Sequence, residues 1–123
     1  MAIPHASAGE VIDIRPLGDK LSETRTSSLL KTENVEALRL ALPAGKKIAE
    51  HKAPGEITVQ CLEGEVTFTA PSGTQTLHAG EMLFLHPGEL HAVEAVKDSS
   101  VLVTILSRKK DISSVRSTLQ GEK

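Results

Sequence analysis

Few side chains in this chain of 123 residues are equipped for chemistry. There are five histidines (His5, His51, His78, His86 and His91) and one cysteine, Cys61. Imidazole changes charge near neutrality and ligates divalent metals, so the histidines are the first candidates for acid–base or metal work. His5 lies in a loosely held N-terminal stretch and is expected to be inert. His78 is expected to face solvent or a strand neighbour. An unpaired cysteine is most often a small buried hydrophobe, and nothing beside Cys61 in sequence would lower its pKa. Glu50, Glu56, Glu63, Glu65, Glu81 and Glu89 fall mostly at turn signals and read as a solvated face.

The missing residues exclude more. Tyr and Trp are absent, and Phe68 and Phe84 are the only aromatics besides histidine. Phenolic acid–base chemistry is therefore ruled out, as are aromatic cages and stacking platforms for single-stranded nucleic acid. Lys and Arg number 14 against 16 Asp and Glu, a net charge of −2. No basic field exists to draw nucleic acid, and the run Arg108-Lys109-Lys110 is too short to make one. No apolar run approaches the roughly 18–20 residues of a membrane span, and the first residues lack a signal-peptide core. A lone cysteine cannot close an intrachain disulfide. The expectation is a cytoplasmic protein with no nucleic-acid or membrane partner.

The elements that position these residues read as short strands. Val11–Ile14 is a candidate first strand, stopped by Pro16 and Gly18-Asp19. Thr26–Lys31 is β-permissive. In Val35–Leu42, Leu38, Leu40 and Leu42 alternate with Ala37, Arg39 and Ala41, the period of a half-buried strand, with a helix as runner-up. Further strands are expected over Ile48–Lys52, Ile57–Leu62, Val66–Ala70, Thr74–His78, Met82–Leu85, His91–Val96 and Val101–Leu106, with Gly, Pro or Asp at the turns between them. Met82 and Phe84 read as core filling. Many short strands at near-regular spacing indicate an antiparallel sandwich or barrel. At the end, Asp111 is placed to cap a short helix over about 111–120 with an apolar stripe of Ile112, Val115 and Leu119. Ten residues are too few to hold a helix alone in water, so it must dock or fray.

Two segments carry a motif. The first runs from Gly45 through His51, Ala53, Glu56, Ile57 and Gln60 to Gly64. The second runs from Gly80 through His86, Pro87 and Gly88 to His91. Together they resemble the cupin superfamily, whose motifs are G-x5-H-x-H-x3,4-E-x6-G and G-x5-P-x-G-x2-H-x3-N. Gly45, His51, Gly64, Gly80, Gly88 and His91 match in type and spacing. Ala53 stands in place of the second histidine, Ile57 in place of the glutamate, His86 in the proline slot and Ala95 in place of the final asparagine. The resemblance covers about residues 38–107 and implies an all-β fold, a double-stranded β-helix or jelly-roll barrel. The chain then reads as a single domain, 1–123, with N-terminal strands over 11–33 and the short C-terminal helix at its end.

The resemblance also implies a pocket at the barrel mouth, with His51 and His91 facing each other. They are the metal ligands it would retain, for one divalent ion (iron, manganese, nickel or zinc) or for none. Ala53 and Ile57 are expected to line the same pocket as hydrocarbon. Two imidazoles alone are a weak site, because stable zinc sites use about four ligands and the non-heme iron triad needs a carboxylate. Spare donors are His86, Gln60 and Glu56. Glu56 is one register step from the family's glutamate and reaches the pocket only through a bulge. Gln60 lies an odd number of positions from Ile57 and points to the opposite face, which leaves His86 as the best spare. A small-molecule binding module is the first functional expectation, and a metal-dependent dioxygenase or isomerase using His51 and His91 the second. Metal-free acid–base catalysis ranks last for want of a tyrosine. A homodimer is expected, since the N-terminal strand and C-terminal helix are too short to be stable alone.

Overall fold

The computed structural model describes residues 5–106. The helix expected over 111–120 lies outside them. Within them are nine strands: β1 (Ser27–Lys31), β2 (Val35–Leu42), β3 (Lys47–His51), β4 (Ile57–Glu63), β5 (Glu65–Ala70), β6 (Gly73–His78), β7 (Met82–Leu85), β8 (His91–Ala95) and β9 (Ser99–Leu106). They form a five-stranded sheet of order β1-β2-β9-β4-β7 and a four-stranded sheet of order β3-β8-β5-β6, with every pairing antiparallel. Chain neighbours β2 and β3 lie in different sheets, as do β4 and β5, so the chain winds back and forth around a shared interior. This is the jelly-roll barrel that the strand spacing and the motifs imply.

The register shows which side chains face that interior. Ile57 on β4 stands opposite Leu85 on β7 and Ile105 on β9, and Val59 stands opposite Leu83 and Val103. The intervening row of Phe84, Thr58 and Thr104 therefore points outward, because successive strand side chains alternate. Leu42, Val59, Cys61, Val66, Phe68 and Val101 are the heart of the core. Fully burying one such apolar side chain contributes about 1.5–3 kcal/mol.

Gly64 joins β4 to β5 at φ 87°, and a Cβ there would overlap Ser99 Oγ and the Asp98 carbonyl. The Ser99 hydroxyl occupies that space, accepting from Glu65 N at 2.9 Å. Gly80 also has a positive φ, 91°, but with open space around it.

Four expectations are corrected. Val11–Ile14 is not a strand, and Val11 is almost fully exposed. The Asp13 carboxylate instead accepts from the backbone N, Nε and Nη2 of Arg15, a local arrangement that competes with strand pairing. Met82 and Phe84 are exposed rather than core. They lie on the edge strand β7, whose alternate residues Leu83 and Leu85 face inward, and the unbroken apolar run Met-Leu-Phe-Leu hides that alternation.

Glu63 is not part of a solvated face. Its carboxylate accepts from Leu17 N at 2.7 Å, Gly18 N at 3.0 Å and Ser100 Oγ at 2.7 Å. It thereby ties the N-terminal segment, with its 3-10 turn Gly18–Glu23, to the outer face of the large sheet. Under that segment Ala37 and Arg39 are buried, so β2 is covered on both faces rather than half-buried.

Candidate functional site

The barrel encloses a cavity of about 300 Å³ between the two sheets. The large sheet contributes Leu38 and Leu40 from β2, Ile57 and Val59 from β4, and Val103 and Ile105 from β9. The small sheet contributes Ile48 and His51 from β3, Phe68 from β5, and His91 and Val93 from β8. Lys52, Ala53 and Pro54 form part of the rim. The lining is hydrocarbon apart from the two histidines and the exposed Lys52 at the rim.

His51 and His91 are cross-strand partners, with ring centroids 4.2 Å apart in an edge-to-face arrangement. A bulge in β3 makes this possible. Between the pairs Ile48–Val93 and His51–His91, β3 advances three residues while β8 advances two. On a regular strand Ile48 and His51 would face opposite ways; the extra residue turns both inward. Phe68 lies nearly parallel to His91, its centroid 5.5 Å away and its plane tilted by 11°.

Both imidazoles are held the same way. His51 Nδ1 donates to Ala49 O at 2.9 Å, and His91 Nδ1 donates to Glu89 O at 3.0 Å. A carbonyl only accepts, so each Nδ1 carries a proton, and in the neutral form of either ring Nε2 is the nitrogen with the lone pair. His91 is buried and His51 is exposed at the mouth. Burial pushes the His91 pKa below its ordinary value; the Glu89 carbonyl pulls the other way, and the neighbouring His51 adds to the lowering. Near neutral pH His91 is thus an uncharged hydrogen-bond acceptor.

The remaining candidates divide. Ala53 and Ile57 line the cavity beside the two histidines. His86 and Gln60 do not. His86 is exposed, 3.8 Å from the Glu56 carboxylate and edge-on to Phe84. Gln60 stands opposite Met82 and Leu102 in the outward-facing row. Glu56 is occupied with His86 and does not enter the pocket.

Cys61 is fully buried. Desolvation raises its pKa, so it remains a protonated thiol. His78 is exposed and pairs with Glu81 at 3.2 Å. His5 is within 3.0 Å of Ser28 Oγ. Sequence reasoning missed Lys52 at the rim and Phe68 under His91; no motif position marks either one.

The donor set does not suit a resident metal. Two Nε2 atoms are available, the family's other two ligand positions are hydrocarbon, and among the described residues no third His, Cys, Asp or Glu joins them. Neither a tetrahedral zinc site nor a two-histidine, one-carboxylate triad can be completed from these residues.

The cupin domain model matches residues 38–107, more than half of the chain. The protein belongs to the cupin family. No curated protein matches it. Among solved structures, this cupin is similar to a cupin superfamily protein from Desulfitobacterium hafniense, with 18% identity and TM-score 0.68 over 83% of this chain and 99% of that one. A conserved Streptococcus pyogenes protein of unknown function is 20% identical, with TM-score 0.67 over 87% and 95%. An RmlC-like cupin from Desulfovibrio desulfuricans is 25% identical, with TM-score 0.61 over 83% and 97%. These likenesses bear on the fold. No helix among the described residues is long and apolar enough to cross a membrane.

Proposed function

We propose that this cupin binds a small molecule in the barrel pocket and has no resident metal. The observation that carries the reading is the cavity of about 300 Å³, hydrocarbon except for His51, His91 and Lys52. Such a pocket takes an apolar body, with a few placed polar groups fixing its orientation. With His91 neutral and its Nε2 unprotonated, the ligand presents a hydroxyl or N–H to that atom. A carboxylate or similar anionic group on the ligand would lie toward Lys52. The molecule is taken to act as a homodimer.

The second reading, a metal-dependent dioxygenase or isomerase, has one observation in its favour. Both imidazoles are anchored through Nδ1 and present Nε2, as metal-ligating histidines are. Elemental analysis of the untreated protein, with His51→Ala as control, separates the two readings. Metal far below one equivalent, unchanged in the variant, is the expected result. Near-stoichiometric iron, manganese, nickel or zinc that is lost in His51→Ala would overturn the first reading in favour of the second.

A further inference from the structure

A second site lies on the opposite side of the large sheet. Arg39 points away from the barrel interior, into the space beneath the N-terminal segment, and is 6% exposed. Its Nη2 donates to the Asp13 carbonyl at 3.1 Å, while its buried Nε has no partner. The nearby carboxylates are otherwise engaged. Asp13 is held by Arg15 through Nε at 3.0 Å and Nη2 at 2.8 Å. Glu63 attracts Arg39 through space but spends its oxygens on Leu17 N, Gly18 N and Ser100. Among the described residues no carboxylate forms an ion pair with Arg39. A guanidinium buried with one hydrogen bond to a neutral oxygen is under-compensated, since buried charges are normally paired.

Arg39 borders an open depression of about 380 Å³ together with Asp13, Arg15, Pro16, Leu17 and Lys20. Three cationic residues line it against one carboxylate; Arg15 and Asp13 pair with each other, which leaves Lys20 and Arg39 as the excess positive charge. We propose that this depression is an anion site for a phosphate group, either free phosphate or the head of a small phosphate ester. Guanidinium groups suit it, because their forked donors match phosphate oxygens. A bound phosphate adds a hydrogen-bonding anion beside Arg39, on which the Asp13 and Glu63 carboxylates act only through space. It also links β2 to the segment carrying Lys20, adding to the tie that Glu63 already makes. The site shares no residue with the barrel pocket.

The test is thermal unfolding of the intact protein titrated with inorganic phosphate at low ionic strength. Sodium chloride of equal ionic strength is the control, and glycerol phosphate is a second arm. A saturable rise in Tm beyond the chloride control is expected, weakened about tenfold or more in half-saturating concentration by Lys20→Ala. Arg39→Met, which substitutes a long apolar side chain at a buried position, is expected to abolish the rise. If Arg39→Met does not fold, the exposed Lys20→Ala carries the test alone. Tighter binding of glycerol phosphate identifies the ester as the ligand, and tighter binding of phosphate identifies the free ion. No rise beyond chloride, or a rise unchanged in Lys20→Ala, would overturn the proposal. His51→Ala is expected to keep the phosphate response, so the two sites fail or stand separately.

Discussion

At the scale of single residues, the protonation state of His91 decides what the pocket accepts. Its burial beside Phe68 and His51 disfavours the charged form in the folded chain, and nothing disfavours it in the unfolded chain. The unfolded state therefore binds more protons between the lowered pKa and the ordinary value of about 6.5. Stability from this group is complete above that ordinary value. It falls as pH drops through the window and levels off once the folded-state pKa is passed. Urea unfolding between pH 8 and pH 5 (chosen about that pKa) is expected to show the decline, and His91→Gln should flatten part of it. A decline of the same size in the variant would remove His91 as its source. The neutral ring also accepts a ligand proton, so binding that depends on His91 Nε2 should weaken over the same acid range.

At the scale of elements, the β4–β5 turn, where the chain crosses from one sheet to the other, is the least forgiving in the barrel. Gly64 needs both a left-handed backbone and the absence of a side chain, because Ser99 and the Asp98 carbonyl fill the space. Gly80 needs only the backbone. Gly64→Ala combines left-handed strain with overpacking and should cost about 3 kcal/mol or more, whereas Gly80→Ala should cost about 1–2 kcal/mol. Equal losses in denaturant titration would contradict this account.

The eight strands from Val35 onward, and the permissive stretch before them, were legible as alternation punctuated by Gly and Pro. The convergence of His51 and His91 was legible only through the two motifs. The β3 bulge was not, since an extra residue leaves no mark in the pattern of hydrophobicity. Nor was the cover over Arg39, because residues 13–20 follow no strand or helix period and are held by side chain to backbone bonds from Asp13 and Glu63. Lys52 and Phe68 enter the pocket through long-range packing, to which local sequence is blind.

At the scale of the whole molecule, the outward row of the large sheet is unevenly dressed. The N-terminal segment covers the β2 end, whereas Met82 and Phe84 stand exposed on edge strand β7. Large apolar side chains on an uncovered sheet edge invite pairing with another chain. The proposed homodimer is expected to use this edge. Sedimentation at tens of micromolar should give twice 13.1 kDa, and Phe84→Asp should shift the population to single chains. A wild-type protein that sediments as one chain would count against the dimer.

The flat stacking of Phe68 on His91 leaves this cupin with a built-in reporter. The imidazole protons of His91 lie in the ring-current field of that phenyl group. No tyrosine or tryptophan is present to crowd the aromatic region of a proton spectrum. An occupant that pushes the two rings apart changes the shielding at a few resonances, so arrival at the pocket can be followed without any label.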